Sequence, residues 1–161
     1  MDFKTLKKNN YLVVGRAGLD LYADPPGTRM EDAEQFFATI GGSAANIAVG
    51  IVRQGGNATL LTCVSDDAVG RTVIKKLQNF GVNTKHMRTV GGEARNSLAV
   101  VETRSENCQS VIYRNGAADF EFNEIDVAGL SFENFSVSPC RIAPCSSSTE
   151  YWSTVTCTIS F

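Results

Sequence analysis

The stretch Gly41-Gly42-Ser43-Ala44-Ala45-Asn46-Ile47-Ala48-Val49-Gly50, GGSAANIAVG, sets two glycines and two polar residues against a run that is otherwise small and apolar. Ala44, Ile47, Ala48 and Ile51 follow the i, i+3, i+4, i+7 spacing of one helical face, and Gly55-Gly56 supplies a stop. The spacing predicts a buried helix entered through glycines, with Ser43 as its N-cap. Asn46 lies one turn in, and its side chain leans back toward the same end. An amide there both donates to and accepts from a hydroxyl, so a rigid polar end on a buried helix suits a small polyol. On spacing alone, a plain turn followed by a plain cap remains an equal alternative.

Outward from this helix the chain alternates. Tyr11-Leu12-Val13-Val14 is a short apolar run ended by Gly15, as a buried strand would be. Asp24-Pro25-Pro26-Gly27 is a turn signal, because its prolines lack the backbone donors a helix needs. Residues 58–64 read as a second strand. Asp66-Asp67 then offers a cap for a second helix with Val69, Val73 and Leu77 on one face, Lys75-Lys76 near its C-terminus and Gly81 at its end. Strand, helix, strand, helix is the signature of an α/β protein. After Gly91-Gly92 the pattern changes to two β-type runs, residues 97–102 and 110–114, which predict a hairpin.

Composition narrows the functional classes. The 161 residues are 43% hydrophobic and 20% charged, which suits one globular domain or part of a larger one. A net charge of −2 provides no basic footprint for nucleic acid or an anionic membrane, so neither is an expected partner. No apolar run approaches the roughly 20 residues that span a bilayer. The opening MDFKTLKKNN lacks the pattern of a secretory signal, and a cytoplasmic location is expected. Cysteines 63, 108, 140, 145 and 157 show no paired C-x-x-C spacing, so neither a structural metal nor a disulfide framework is expected. His86, the single histidine, sits in a polar connection and reads as a surface residue.

A second polar element follows the first strand: Gly15-Arg16-Ala17-Gly18-Leu19-Asp20. Ligands of α/β sheets bind beyond the carboxyl ends of the strands, so Asp20 is expected there as a hydroxyl acceptor. A dinucleotide fingerprint is disfavoured, since G-x-x-G is not G-x-G-x-x-G and Pro25-Pro26 block the helix that must follow.

Four stretches, VVGRAGLDLYADPPGT, GGSAANIAVGIVRQGG, VSDDAVGRTVIKKLQNFGV and VIYRNGAAD, together resemble the ribokinase-like, or PfkB, family of carbohydrate kinases across roughly residues 10–128. The first and last look most like the branch that phosphorylates 5-dehydro-2-deoxy-gluconate in inositol catabolism. The resemblance implies a sheet flanked by helices, with a small β-lid that closes over the sugar and helps form a homodimer. It implies that Asp20, Gly41, Gly42 and Asn46 hold the sugar, and it makes Arg95, Tyr113 and Arg114 candidates for the carboxylate or carbonyl end. A guanidinium suits a carboxylate through its bidentate fork. Solvated charges on a hairpin are the alternative reading for Arg95 and Arg114.

The family's second half carries the ATP and Mg²⁺ sites and a Gly-x-Gly-Asp motif whose aspartate takes the proton from the sugar hydroxyl. No such motif occurs in this sequence. Gly116-Ala117-Ala118-Asp119 lacks the second glycine and matches the family's lid-return segment, so Asp119 is not read as catalytic and no catalytic residue is assigned. Composition also shifts near residue 130: from Ser136 to Phe161, 14 of 26 residues are Ser, Thr or Cys, and only Arg141 and Glu150 are charged. Residues 1–130 are therefore read as the N-terminal part of a ribokinase-like domain. Residues 131–161 are read as an aberrant, frameshifted tail, or else a disordered one. The expectation is a sugar kinase lineage in a chain that is itself a sugar-binding, non-catalytic half.

Overall fold

The computed structural model describes residues 9–139. Two four-stranded sheets share the chain. The first has the order β5-β4-β1-β8, all parallel, from β1 (Asn10–Val14), β4 (Asn57–Ser65), β5 (Met87–Val90) and β8 (Ser136–Pro139). The second has the order β3-β2-β6-β7, from β2 (Gly18–Asp24), β3 (Gln35–Gly41), β6 (Leu98–Val101) and β7 (Ser110–Tyr113). In it β2 runs antiparallel to β3 and parallel to β6, and β6 pairs antiparallel with β7, the predicted hairpin.

The parallel sheet is buried at its centre, and its inner strands β1 and β4 read accordingly as apolar runs. Every residue of β4 from Ala58 to Ser65 is buried. Ala58, Leu60 and Val64 share one core with the helices α1 (Ser43–Arg53) and α2 (Ala68–Asn79). On the other side Cys63 meets Asp126, from the short helix α3 (Glu124–Val127), and burial, with Asp126 close by, pushes its thiol up to about 12. Asp126 is itself held down: burial would raise its carboxyl, but hydrogen bonds from Arg88 on β5 and from the Asn123 N–H outweigh that.

The predicted first helix forms with its face rotated. Ala44, Ala45, Ala48 and Val49 are the buried residues, whereas Ile47 is 39% exposed. At 100° per residue Ile47 lies about 130° from the centre of that alanine stripe, and the small side chains let the helix axis approach the sheet closely. The cap also differs from expectation. Gly42, at φ +96°, is the N-cap, with no side-chain cap, and Ser43 is the first helical residue. A left-handed backbone there is one that only glycine adopts freely. The second helix follows its prediction: Asp67 Oδ1 accepts from the Val69 and Gly70 N–H groups, and Val73 and Leu77 are fully buried.

The boundary expected at residue 130 is followed by a strand, since Ser136–Pro139 pair with β1; residues 140–161 of the expected tail lie outside the described residues. Among the described residues no helix is long and apolar enough to cross a membrane.

Candidate functional site

The two sheets meet where β1 ends. The chain leaves Val14, passes Gly15, Arg16 and Ala17, and enters β2 at Gly18. Asp20 therefore stands on a strand of the second sheet, and the connection between β1 and β2 is only three residues long. In a strand successive side chains alternate in face, and the register puts Asp20 level with Thr39 on β3, Ala99 on β6 and Ile112 on β7. The other face carries Leu19, Ile40 and Leu98, which pack toward the core.

Gly41 ends β3 opposite Gly18, and a Cβ on Gly41 would strike the Asp20 carboxylate. The hydrogen at position 41 thus gives the carboxylate its place. A Cβ on Gly42 would strike the Arg16 carbonyl oxygen, which accepts the Ala45 N–H of α1 at 3.4 Å. Gly42 in turn accepts the Asn46 N–H at 3.0 Å. These glycines bring the N-terminus of α1, a region of positive potential, against the β1–β2 junction.

Asp20 is half-buried, and among the described residues its carboxylate takes no hydrogen bond and no ion pair. Burial raises its pKa and the neighbouring charge of Arg16 opposes that rise. An acceptor left open in such a place is equipped for a hydroxyl of a bound molecule. Asn46 is exposed one turn into α1, with its amide free of hydrogen bonds among the described residues. Asp20, Gly41, Gly42 and Asn46 are thus gathered at one joint.

The three hairpin candidates are not gathered with them in the same way. Arg95 is exposed on the turn before β6 and donates from Nη1 to the carbonyls of Gly92 and Ala94. Tyr113 is 61% exposed at the end of β7, level with Leu98 and so on the face opposite Asp20. Arg114 is drawn to Asp119, with Nη2 at 2.5 Å and Nε at 3.2 Å from Oδ2, and lies over the Phe120 ring at 4.5 Å. Asp119 is buried as that arginine's partner.

Residues the sequence reading passed over also stand at the joint. Arg16 Nη1 donates to Ser97 Oγ at 3.0 Å. The residue before that serine, Asn96, accepts at Oδ1 from the Ser65 N–H and hydroxyl, tying the start of β6 to the end of β4. A charge flanked by Gly15 and Gly18, four residues before Asp20, was the available signal.

Residues 8–156 match the sequence pattern described as pfkB family carbohydrate kinase, a match that runs past the compositional shift near residue 130. The chain is 44% identical over 108 residues to 5-dehydro-2-deoxygluconokinase of Photobacterium profundum, covering 67% of this chain and 33% of that protein. It is 33% identical over 128 residues to the enzyme of the same name from Geobacillus kaustophilus, covering 79% and 38%. Among solved structures, 2-dehydro-3-deoxygluconokinase of Thermotoga maritima superposes with a TM-score of 0.65 at 25% identity, over 73% of this chain and 36% of that one. The chain spans a third to two-fifths of the length of these relatives. A parallel sheet flanked by helices beside a mixed sheet matches the fold of these sugar kinases, and the chain belongs to the pfkB family of carbohydrate kinases.

Proposed function

We propose that this chain is the sugar-binding portion of a kinase that transfers the γ-phosphoryl group of ATP to a hydroxyl of 5-dehydro-2-deoxy-gluconate or a related keto-sugar acid, a step of inositol catabolism. The observation that carries the reading is the open, half-buried Asp20 carboxylate seated on Gly41 beside the start of α1. Asp20 accepts sugar hydroxyls; Asn46 donates and accepts beside it; Gly41 and Gly42 allow close approach of the backbone. Arg95, Tyr113 and Arg114 are proposed to line the lid.

Phosphoryl transfer needs positioning and charge stabilisation around the nucleotide. Among the described residues no three His, Cys, Asp or Glu side chains gather as a metal site. A second reading, in which these residues bind sugar without phosphorylating it, rests on the lack of a Gly-x-Gly-Asp stretch within these 161 residues. A cytoplasmic protein that pairs through its β-lid, with no nucleic-acid or membrane partner, completes the proposal.

Calorimetric titration with D-gluconate and D-glucitol tests it. Asp20→Ala is expected to abolish binding of both, and wild-type affinity in that variant would remove the site assignment. Titration with ATP and Mg²⁺ separates the two readings, since the non-catalytic one predicts no nucleotide binding.

A further inference from the structure

Four arginines among the described residues are half-buried: Arg16, Arg88, Arg104 and Arg114. Three are neutralised. Arg88 pairs with Asp126, Arg104 with Glu102 and Arg114 with Asp119. Arg16 forms no ion pair among the described residues, and its side chain donates one hydrogen bond, to the neutral hydroxyl of Ser97. A cation partly removed from water and left without a counter-charge is costly unless something compensates it. Asp20 is near enough to feel its charge, yet the two do not close into an ion pair.

The surroundings keep this guanidinium in place. A Cβ on Gly18 would stand 3.2 Å from Arg16 Nη1 and 2.6 Å from Ser97 Oγ, so the hydrogen at position 18 makes room for their contact. Ser97 is 1% exposed, and its backbone carbonyl accepts the Leu19 N–H. The start of α1 adds its positive end at the Arg16 carbonyl. A rigid cation, an open carboxylate and a helix N-terminus thus share one joint. That set can hold a molecule with hydroxyls at one end and a carboxylate at the other.

Resting on the sugar-binding reading above, we propose that Arg16 selects sugar acids over neutral sugars: its fork receives the substrate carboxylate, while Asp20 takes hydroxyls and Ser97 acts as the positioning residue for Arg16. This assigns acid recognition to the β1–β2 junction in preference to Arg114, whose charge Asp119 already balances.

The test is calorimetry on the full 161-residue chain with D-gluconate and D-glucitol, which differ by a carboxylate against a hydroxymethyl group. Wild type should prefer gluconate, and that affinity should fall from low to high salt while glucitol binding does not. Arg16→Gln should weaken gluconate at least about tenfold and glucitol less than about twofold. Arg16→Lys should recover part of the loss, and Ser97→Ala should shrink the gluconate preference in the same direction. Equal weakening of both ligands by Arg16→Gln, or an unchanged gluconate affinity while Asp20→Ala still loses both ligands, overturns the role of Arg16 alone. Binding of neither ligand by wild type overturns the sugar-binding reading and this one with it. Should Arg16→Gln fail to fold, a salt-independent wild-type preference or an unaffected Ser97→Ala overturns the proposal.

Discussion

The two sheets are built to different standards. The parallel sheet is buried at its centre: β4 is buried from Ala58 to Ser65, Leu12, Val13, Leu60 and Val64 are fully excluded from solvent, and Arg88 on the neighbouring β5 is paired. The mixed sheet packs one face on the core through Leu19, Ile40 and Leu98, yet leaves Phe37, Val111, Ile112 and Tyr113 more than half exposed. Its joint with the first sheet holds a carboxylate and a guanidinium that form no ion pair among the described residues. The deepest burial lies in the parallel sheet, and groups open to a ligand stand where that sheet hands the chain to the other.

Substitutions can break that contrast. Leu60→Ala, in the centre of β4, should cost about 2–5 kcal/mol by urea denaturation, because the helices on that face cannot close the cavity. Asp126→Asn should cost about 1–3 kcal/mol, since it leaves Arg88, whose side chain is 37% exposed, without its counter-charge. That variant also carries a pH signature. The folded carboxyl of Asp126 is held below its ordinary value, so its contribution is present above about pH 4 and is lost as pH falls further. Stability measured across the acid range should therefore fall less steeply in Asp126→Asn than in wild type. Asp67→Ala, which removes the cap of α2, should cost about 1 kcal/mol. Ile112→Ser on the outer strand should change stability by less than about 0.5 kcal/mol. A larger loss there than at Leu60 would mean that the mixed sheet is the better closed of the two.

Half of each sheet was legible: β1 and β4 in the parallel one and β6 and β7 in the mixed one, whereas β5 and β8, as short as MRTV and SVSP, were not read as strands. Buried parallel strands read as apolar runs, which is why Tyr11–Val14 and residues 58–64 announced β1 and β4. The Asp67 cap and the Gly81 stop, at φ +83°, framed α2 by chemistry local to the chain. Strands β2 and β3 were missed, because GLDLYAD and QFFATIG mix polar and apolar residues without a clean alternation and are specified by their partners across the sheet. At the site, Asp20 and the glycine pair were legible as residues but not as neighbours. Their contact depends on a register between β2 and β3 that no single stretch encodes. The Arg114–Asp119 pair was hidden for a related reason: both residues were noted, but nothing in their spacing says that one neutralises the other.

The seating of Asp20 on Gly41 has an evolutionary reading. A methyl group at position 41 and a carboxylate at position 20 cannot occupy this joint together without displacing one of them. The two positions, on separate strands and 21 residues apart by their numbers, therefore behave as one inherited character. A lineage that trades the glycine for a larger residue has also surrendered the aspartate's present position, whatever residue it keeps at 20.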